Sequence, residues 1–405
     1  MRTALEGIHL EDTGLVRVHG TDAVKFLQGQ LSNDVSKLSA GQSILAGLHN
    51  PQGRTVALLR LVHWDVNDIL ALVPRELAGS VAARLAKYIL RAKVKIADES
   101  ASWRVVGLID AGPADGADSA TDLPITVGTQ TIATQSRGER AVFVRVGDEP
   151  PRWLAIAPAS PADAVGALGS VPLLDYTPAD RATWQRLEVA AGQPQVYAAT
   201  SEEFVAQMLN LDALGGIAFD KGCYTGQEVI ARAHYRGRVK RRMQRFVSRG
   251  ACQLSPGDAG QLTDGRAFKV VLSAPLADGR CDFLAVTSIV GSDAAVADAA
   301  AGLSAAAGAG VVSPPSATAS VTTQAVHPDA PPTTDPIAPP VAGPIIDPTL
   351  APVAAASVAP TVAAAAALTS AAPAPGAVTS VRPAAAAPAV IVDAVQLDLP
   401  YSLPE

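Results

Sequence analysis

The sequence predicts an α+β protein that ends in a small β-barrel. Three observations carry this expectation. Strand, helix and hairpin signals follow one another through the first hundred or so residues. Short alternating segments separated by Gly-Asp and Asp-Gly turns fill residues 245–289, the pattern of a small all-β barrel. From about Ser292 to Pro388 the chain is mostly Ala, Pro, Val, Thr, Ser and Gly, with no aromatic residue and few charges. Such a tract buries too little varied apolar surface to offset its ordering entropy, so disorder with polyproline stretches is expected there.

The elements follow in order. Gly14–Val18 alternates and reads as the first strand. Thr21 or Asp22 then caps a helix through Val24, Phe26, Leu27 and Leu31, spaced near 3.6. Asn33 and Asp34 follow it and either terminate the helix or line a pocket. Ser43–Leu48 and Arg54–Val62 read as strands joined by the turn Asn50-Pro51-Gln52-Gly53. Pro74 suits the first turn of a helix striped by Leu77, Val81, Leu85 and Ile89. Its basic side, with Arg84, Lys87, Arg91, Lys93 and Lys95, reads first as a solvated face and second as an anion-attracting one. Ser102–Ile109 is a further strand, and weaker strand signals lie near Ile125–Val127 and Ala141–Val146, in a second α+β subdomain. Trp184–Val189 is apolar and periodic, and Ser201 suits the cap of a helix burying Phe204, Val205, Met208 and Leu209. Beyond the Ala/Pro tract, Val395–Tyr401 alternates again. It reads as the last barrel strand, which makes the tract a loop insertion whose closure costs little. The expected divisions are 1–100, 101–172, 173–244, 245–291, 292–390 and 391–405.

The chemistry concentrates in Lys221-Gly222-Cys223-Tyr224-Thr225-Gly226-Gln227-Glu228. Two glycines bracket a cysteine in a tight loop. A nearby cation favours thiolate, so Lys221 is expected to activate Cys223; the alternative is an inert cysteine in a turn. Behind it run Arg232, Arg236, Arg238, Lys240, Arg241, Arg242 and Arg245 in a chain whose net charge is −6. Arginines bind phosphates and carboxylates in bidentate fashion. RNA binding is the rival use, but only Tyr235 offers a stacking ring there, which argues against it. The net charge argues against DNA. Three cysteines with no CxxC argue against a disulfide framework or a metal site, and Cys252 and Cys281 read as packing residues. No stretch suits a membrane span or a signal peptide, so the expected location is the cytoplasm.

These residues resemble the YgfZ family of folate-binding proteins, relatives of the glycine-cleavage T-protein. The octapeptide 221–228 carries the resemblance, with the basic segment behind it, Gln207–Leu211, Leu214-Gly215-Gly216 and Phe26–Val35. The resemblance implies α+β subdomains around a central folate-binding hollow. It implies tetrahydrofolate or a derivative as the bound cofactor, and iron–sulfur clients or assembly proteins as partners, including enzymes that thiolate tRNA. An accessory factor is implied rather than an enzyme; the alternative is a folate-dependent aminomethyltransferase-like activity. By position, Lys221 and Cys223 form the functional pair, and Tyr224, Gly226, Gln227 and Glu228 shape the loop. Arg232 and Arg236 are expected to meet the ligand's carboxylates, with Asn33 and Asp34 near it. T-proteins carry Glu-Ala-Gly where this chain has Ala190-Ala191-Gly192, so the pterin contact is either missing or passes to another group such as Glu188.

Overall fold

The first strand is Leu5–His9 (β1), ahead of the predicted one, which is the second, Thr13–His19 (β2). The structure, a computed structural model, describes residues 5–39, 41–110, 130–134, 140–159, 177–289 and 390–404. The expected strand near Ile125–Val127 and the Ala/Pro tract lie outside the described residues.

The hairpin predicted about Asn50–Gly53 is present as β3, Ser43–His49, and β4, Thr55–Asp65. The strand β5, Asp68–Pro74, follows, and with β6, Lys95–Asp98, these form an antiparallel sheet ordered β3-β4-β5-β2-β6. Helix α1, Ala23–Gln28, stops earlier than its apolar spacing suggests. Leu31 instead bridges to Leu48, and the Asp22 carboxylate accepts the Lys93 N–H rather than capping its own helix. Helix α2, Arg75–Ala86, buries Leu77, Val81 and Leu85 as its stripe predicts, but ends before Ile89.

A second sheet gathers β7, Trp103–Asp110; β8, Gln130–Thr134; β9, Arg140–Asp148; β10, Pro151–Pro158; and β11, Thr177–Pro178. Its order is β11-β1-β7-β10-β9-β8, so the chain's first strand belongs here. The two sheets share a core in which Val62, Leu70 and Leu72 meet Val105, Val142 and Ile156. Trp64 and Trp103 cross edge to face at 4.8 Å within it. Helix α3, Arg181–Ala190, is capped by Asp180, which accepts the Ala182 N–H. Its Trp184 lies over β7 at Gly107, where an added Cβ would stand 2.7 Å from the indole ring. A side chain larger than hydrogen would push the helix off the sheet.

No α-helix follows Ser201. Its hydroxyl donates to the Val56 carbonyl, and only a short 3-10 turn forms, Ala206–Leu209. Phe204 and Leu209 are nonetheless buried, so the apolar spacing reported burial rather than helix. The cationic run begins as helix α4, Gln227–Tyr235.

The barrel sheet consists of β12, Arg241–Ser248; β13, Ala259–Leu262; β14, Ala267–Pro275; β15, Cys281–Ser288; β16, Val390–Val392; and β17, Ala394–Leu397. The order is β16-β13-β14-β15-β12-β17. The two edge strands are thus consecutive in the chain, joined at Asp393, so one terminal segment brings both sheet edges together. β17 pairs antiparallel with β12 and β16 parallel with β13. The stretch read as the last strand, Val395–Tyr401, holds β17 but is strand only to Leu397, and β16 before it was not expected. Cys281 is buried in the barrel core with Cys252 packed against it, as expected of packing cysteines.

Candidate functional site

The two sheets, α3 and the barrel surround a cavity of about 330 Å³. This is the scale of a small-molecule site. Alternation along the strands sets its wall. Leu58 and Arg60 of β4 face it, as do Arg152 and Leu154 of β10, each pair two residues apart. On α3 the facing residues are Arg181, Trp184 and Glu188, at i, i+3 and i+7, one helical face. Leu272 of the barrel and Asn33, Gln193, Tyr197, Leu214 and Gly215 from loops complete much of the lining.

The charged part of this lining consists of Glu188 and Asp12 with the guanidinium groups of Arg60, Arg152 and Arg181. Burial pushes the Glu188 carboxyl above the ordinary value of 4.5, against the pull of the Arg181 and Arg152 charges. Burial lowers Arg60 to about 10, with Glu188 pulling it up and Arg152 down. Arg152 is lowered for the same first reason. At about 10, Arg60 remains cationic at neutral pH. Arg152 is 2 % exposed, and its Nε and Nη1 meet no acceptor among the described residues. Its guanidinium sits beside β9 at Gly147, where an added Cβ would lie 2.7 Å from Nη2. Arg181 pairs with Asp12 at the cavity wall.

Of the residues singled out in the sequence, the structure brings Asn33 and Glu188 to the cavity wall. Asn33 Nδ2 donates to the Leu45 and Gly215 carbonyls, both at 2.7 Å, which ties two wall segments together. Asp34 turns away, accepting from Ser36 and Gln28. Those bonds, the Ser36 hydroxyl first, hold its carboxyl below the usual range.

The 221–228 loop stands outside the wall but is anchored beside it. Lys221 Nζ donates to the carbonyls of Gln28, Leu31 and Asn33 at 2.8, 2.6 and 2.8 Å. An ammonium has three N–H groups, so all are spent on carbonyls at the end of α1 and none on the thiol. These bonds give Lys221 an anchoring role. Burial brings the Lys221 ammonium down to about 8. Its charge lies 5.2 Å from the buried Tyr224 ring, while Cys223 is exposed. Gly226 has φ +82°, and a Cβ there would meet the Asn50 carbonyl at 2.5 Å. The loop thus packs backbone to backbone on the β3–β4 turn. Gln227 Oε1 accepts the Tyr224 N–H, a bond internal to the loop.

Glu228 and Arg232 pair across one exposed turn of α4, and Arg236 is exposed at its end. None of Tyr224, Gly226, Gln227, Glu228, Arg232 and Arg236 lines the cavity. Phe219, however, stacks on His234 at 3.8 Å, with Tyr235 edge-on to both. The end of α4 therefore carries a cluster of three rings, of which Phe219 comes from outside the helix.

A two-sheet body with a ligand-sized cavity and an attached barrel defines a class. It is that of the glycine-cleavage T-protein fold. The aminomethyltransferase T of the glycine cleavage system from Bartonella henselae superposes with a TM-score of 0.54 at 16% identity, over 71% of this chain and 79% of that one. At that identity the likeness establishes the fold alone. Sequence comparison goes further. The chain is 33% identical to the tRNA-modifying protein YgfZ of Pectobacterium carotovorum subsp. carotovorum, over 65% of this chain and 76% of that relative. It is 34% identical to YgfZ of Vibrio vulnificus (58% and 68%) and 32% to that of Serratia proteamaculans (67% and 81%). No protein-family model matches the chain. On these relatives the chain belongs to the YgfZ family of tRNA-modifying proteins. No helix among the described residues is long and apolar enough to cross a membrane.

Proposed function

We propose that this chain binds a reduced folate in the central cavity and acts, as a YgfZ-type accessory protein, in assembly or repair of iron–sulfur clusters. Its clients in this reading include tRNA-thiolating enzymes, and its site of action is the cytoplasm. The observation that carries the folate half is the half-buried carboxylate of Glu188 in the wall of a cavity of about 330 Å³. A pterin presents a guanidine-like edge, a 2-amino group beside N3–H, and a carboxylate accepts both donors. The unpartnered N–H groups of Arg152 give a second reason to expect a polar, acceptor-bearing ligand there. Ala190 does not line the cavity while Glu188, two residues earlier, does, which supports the transfer of the pterin contact to Glu188.

The test is calorimetric titration of the full chain with tetrahydrofolate. Hydrogen bonds to a charged group contribute about 1.5–3 kcal/mol. Glu188→Gln, which keeps the shape and removes the charge, is therefore expected to weaken binding about ten- to a hundredfold. Wild-type affinity should also fall as the pH drops through the raised folded pKa of Glu188, because only the carboxylate accepts both donors. The Gln variant should not show that fall. In the free protein the sign is opposite. The folded pKa exceeds the unfolded value near 4.5, so this group adds stability below that value and loses it as pH rises through the folded pKa. Equal binding by wild type and Glu188→Gln would remove Glu188 from the site.

The iron–sulfur half rests on Cys223, an exposed thiol on a loop that Lys221 holds beside the cavity-wall residue Asn33. Cys223→Ala is expected to bind tetrahydrofolate as the wild type does and to fail in restoring iron–sulfur enzyme activity to a deletion strain. Restoration to the wild-type level would exclude the thiol from the function.

A further inference from the structure

We infer that the cavity reads the 4-position of the pteridine ring, accepting 4-oxopteridines and rejecting 2,4-diaminopteridines, with Arg152 and Arg60 as the selecting residues. This rests on the folate reading above. The cavity wall places an acceptor-only group, the Glu188 carboxylate, in the same lining as two donor-only groups, the guanidinium groups of Arg60 and Arg152. Glu188 on α3, Arg60 on β4 and Arg152 on β10 all line this one cavity. Arg152 is 2 % exposed, lines the cavity, and has two N–H nitrogens with no acceptor among the described residues.

A lining that carries both an acceptor and donors fits a ligand edge with donors and an acceptor side by side. The pyrimidinone edge of a 4-oxopteridine has that order: the 2-amino group, N3–H, then the 4-oxo acceptor. The two donors match Glu188, and the oxygen matches the unpartnered arginine N–H groups. Replacing the 4-oxo group by an amino group turns the acceptor into a donor. The buried arginine donors then stay unpaired and face a like donor. A diaminopteridine has one other way to satisfy a carboxylate. It takes up a proton at N1 and pairs as a cation. Here that cation would sit beside Arg60 and Arg152, whose charges oppose it. Both binding modes of the diamino ring are thus disfavoured by the same two side chains. Sites built to hydrogen-bond a particular group reject analogues lacking it far more strongly than apolar pockets reject a size change.

The matched probes are tetrahydrofolate and tetrahydroaminopterin, identical except at position 4, titrated calorimetrically into the full chain near neutral pH. Tetrahydroaminopterin is expected to bind at least about a hundredfold more weakly. In Arg152→Met, which keeps length and removes the donors, the ratio should shrink at least about tenfold, chiefly through weaker tetrahydrofolate binding. The wild-type ratio decides the matter if that variant does not fold. If the two probes bind the wild type alike, the inference fails while the folate reading stands. If neither probe binds, the folate reading fails and takes the inference with it. A wild-type preference for the oxo form that is unchanged in a folded Arg152→Met overturns the assignment of Arg152 as selector.

Discussion

Arg242→Ala is expected to destabilise the protein by about 3–5 kcal/mol, read as the shift in urea midpoint multiplied by the unfolding slope. Arg242 and Asp212 form a two-pronged ion pair, both bonds 2.9 Å, with each side chain 4% exposed. Arg242 also donates to the Gln207 carbonyl. Removing the guanidinium strands a carboxylate in a dry interior, and that desolvation cost sets the magnitude. Contrast Arg232–Glu228, whose side chains are 72% and 84% exposed. Its loss should cost no more than about 0.5 kcal/mol, because water screens the pair and both side chains regain freedom. Replacing Arg242 and Asp212 together by apolar residues of similar volume should recover most of the loss. A double variant as unstable as the single one would show that packing, not the stranded charge, governs the site.

The same pair matters for function because of where its ends lie. Arg242 is in β12 of the barrel. Asp212 is in the loop that continues to Leu214 and Gly215 at the cavity wall, where the Gly215 carbonyl accepts from Asn33. The barrel thereby braces one side of the cavity. Arg242→Ala should weaken ligand binding as well as stability.

The hairpins, the barrel and its separated last strand were legible because alternation and turn chemistry are local signals. Ser201 was misread for the opposite reason. Its hydroxyl had a distant partner, the Val56 carbonyl, that no local pattern reveals. Lys221 is a sharper case: its neighbour in sequence is Cys223, but its partners are carbonyls of residues 28, 31 and 33. In the cavity, Glu188 was reached through the resemblance and Asn33 through its place after a helix. Arg60 was passed over inside a strand whose apolar content reads as core, and Arg152 lies in β10, for which no strand was read from the sequence. A lone charge in such a strand is a usable signal, since it is buried only where something polar faces it. The ring cluster about His234 was illegible because Phe219 lies 15 positions earlier in the chain.

Cutting the chain after residue 389 is expected to cost about 5 kcal/mol or more, enough to leave the barrel unfolded in a protein with about 5–15 kcal/mol in hand. The lost segment supplies both edge strands, so β12 and β13 would expose their unpaired backbone groups. Val392 leaves the barrel core, and burial of such a side chain contributes about 1.5–3 kcal/mol. Buried Arg266 loses Gln396, one of its acceptors. Tyr401 leaves too; its hydroxyl donates to the Gly192 carbonyl at 2.7 Å and accepts from Asn210. Gly192 has φ +62° and comes so close that an added Cβ would stand 2.8 Å from Leu399 and Tyr401. The terminal residues are thus built into the turn after α3, the helix that carries Glu188. Replacing 292–388 by a Gly/Ser linker of about 20 residues, which spans about 25 Å as a coil, should leave stability and folate affinity within error of the full chain. Thermal melts of the two variants separate the alternatives. If the truncated chain melts like the wild type, the terminal strands are dispensable. If the linker variant fails as badly as the truncation, the fold depends on the intervening sequence itself.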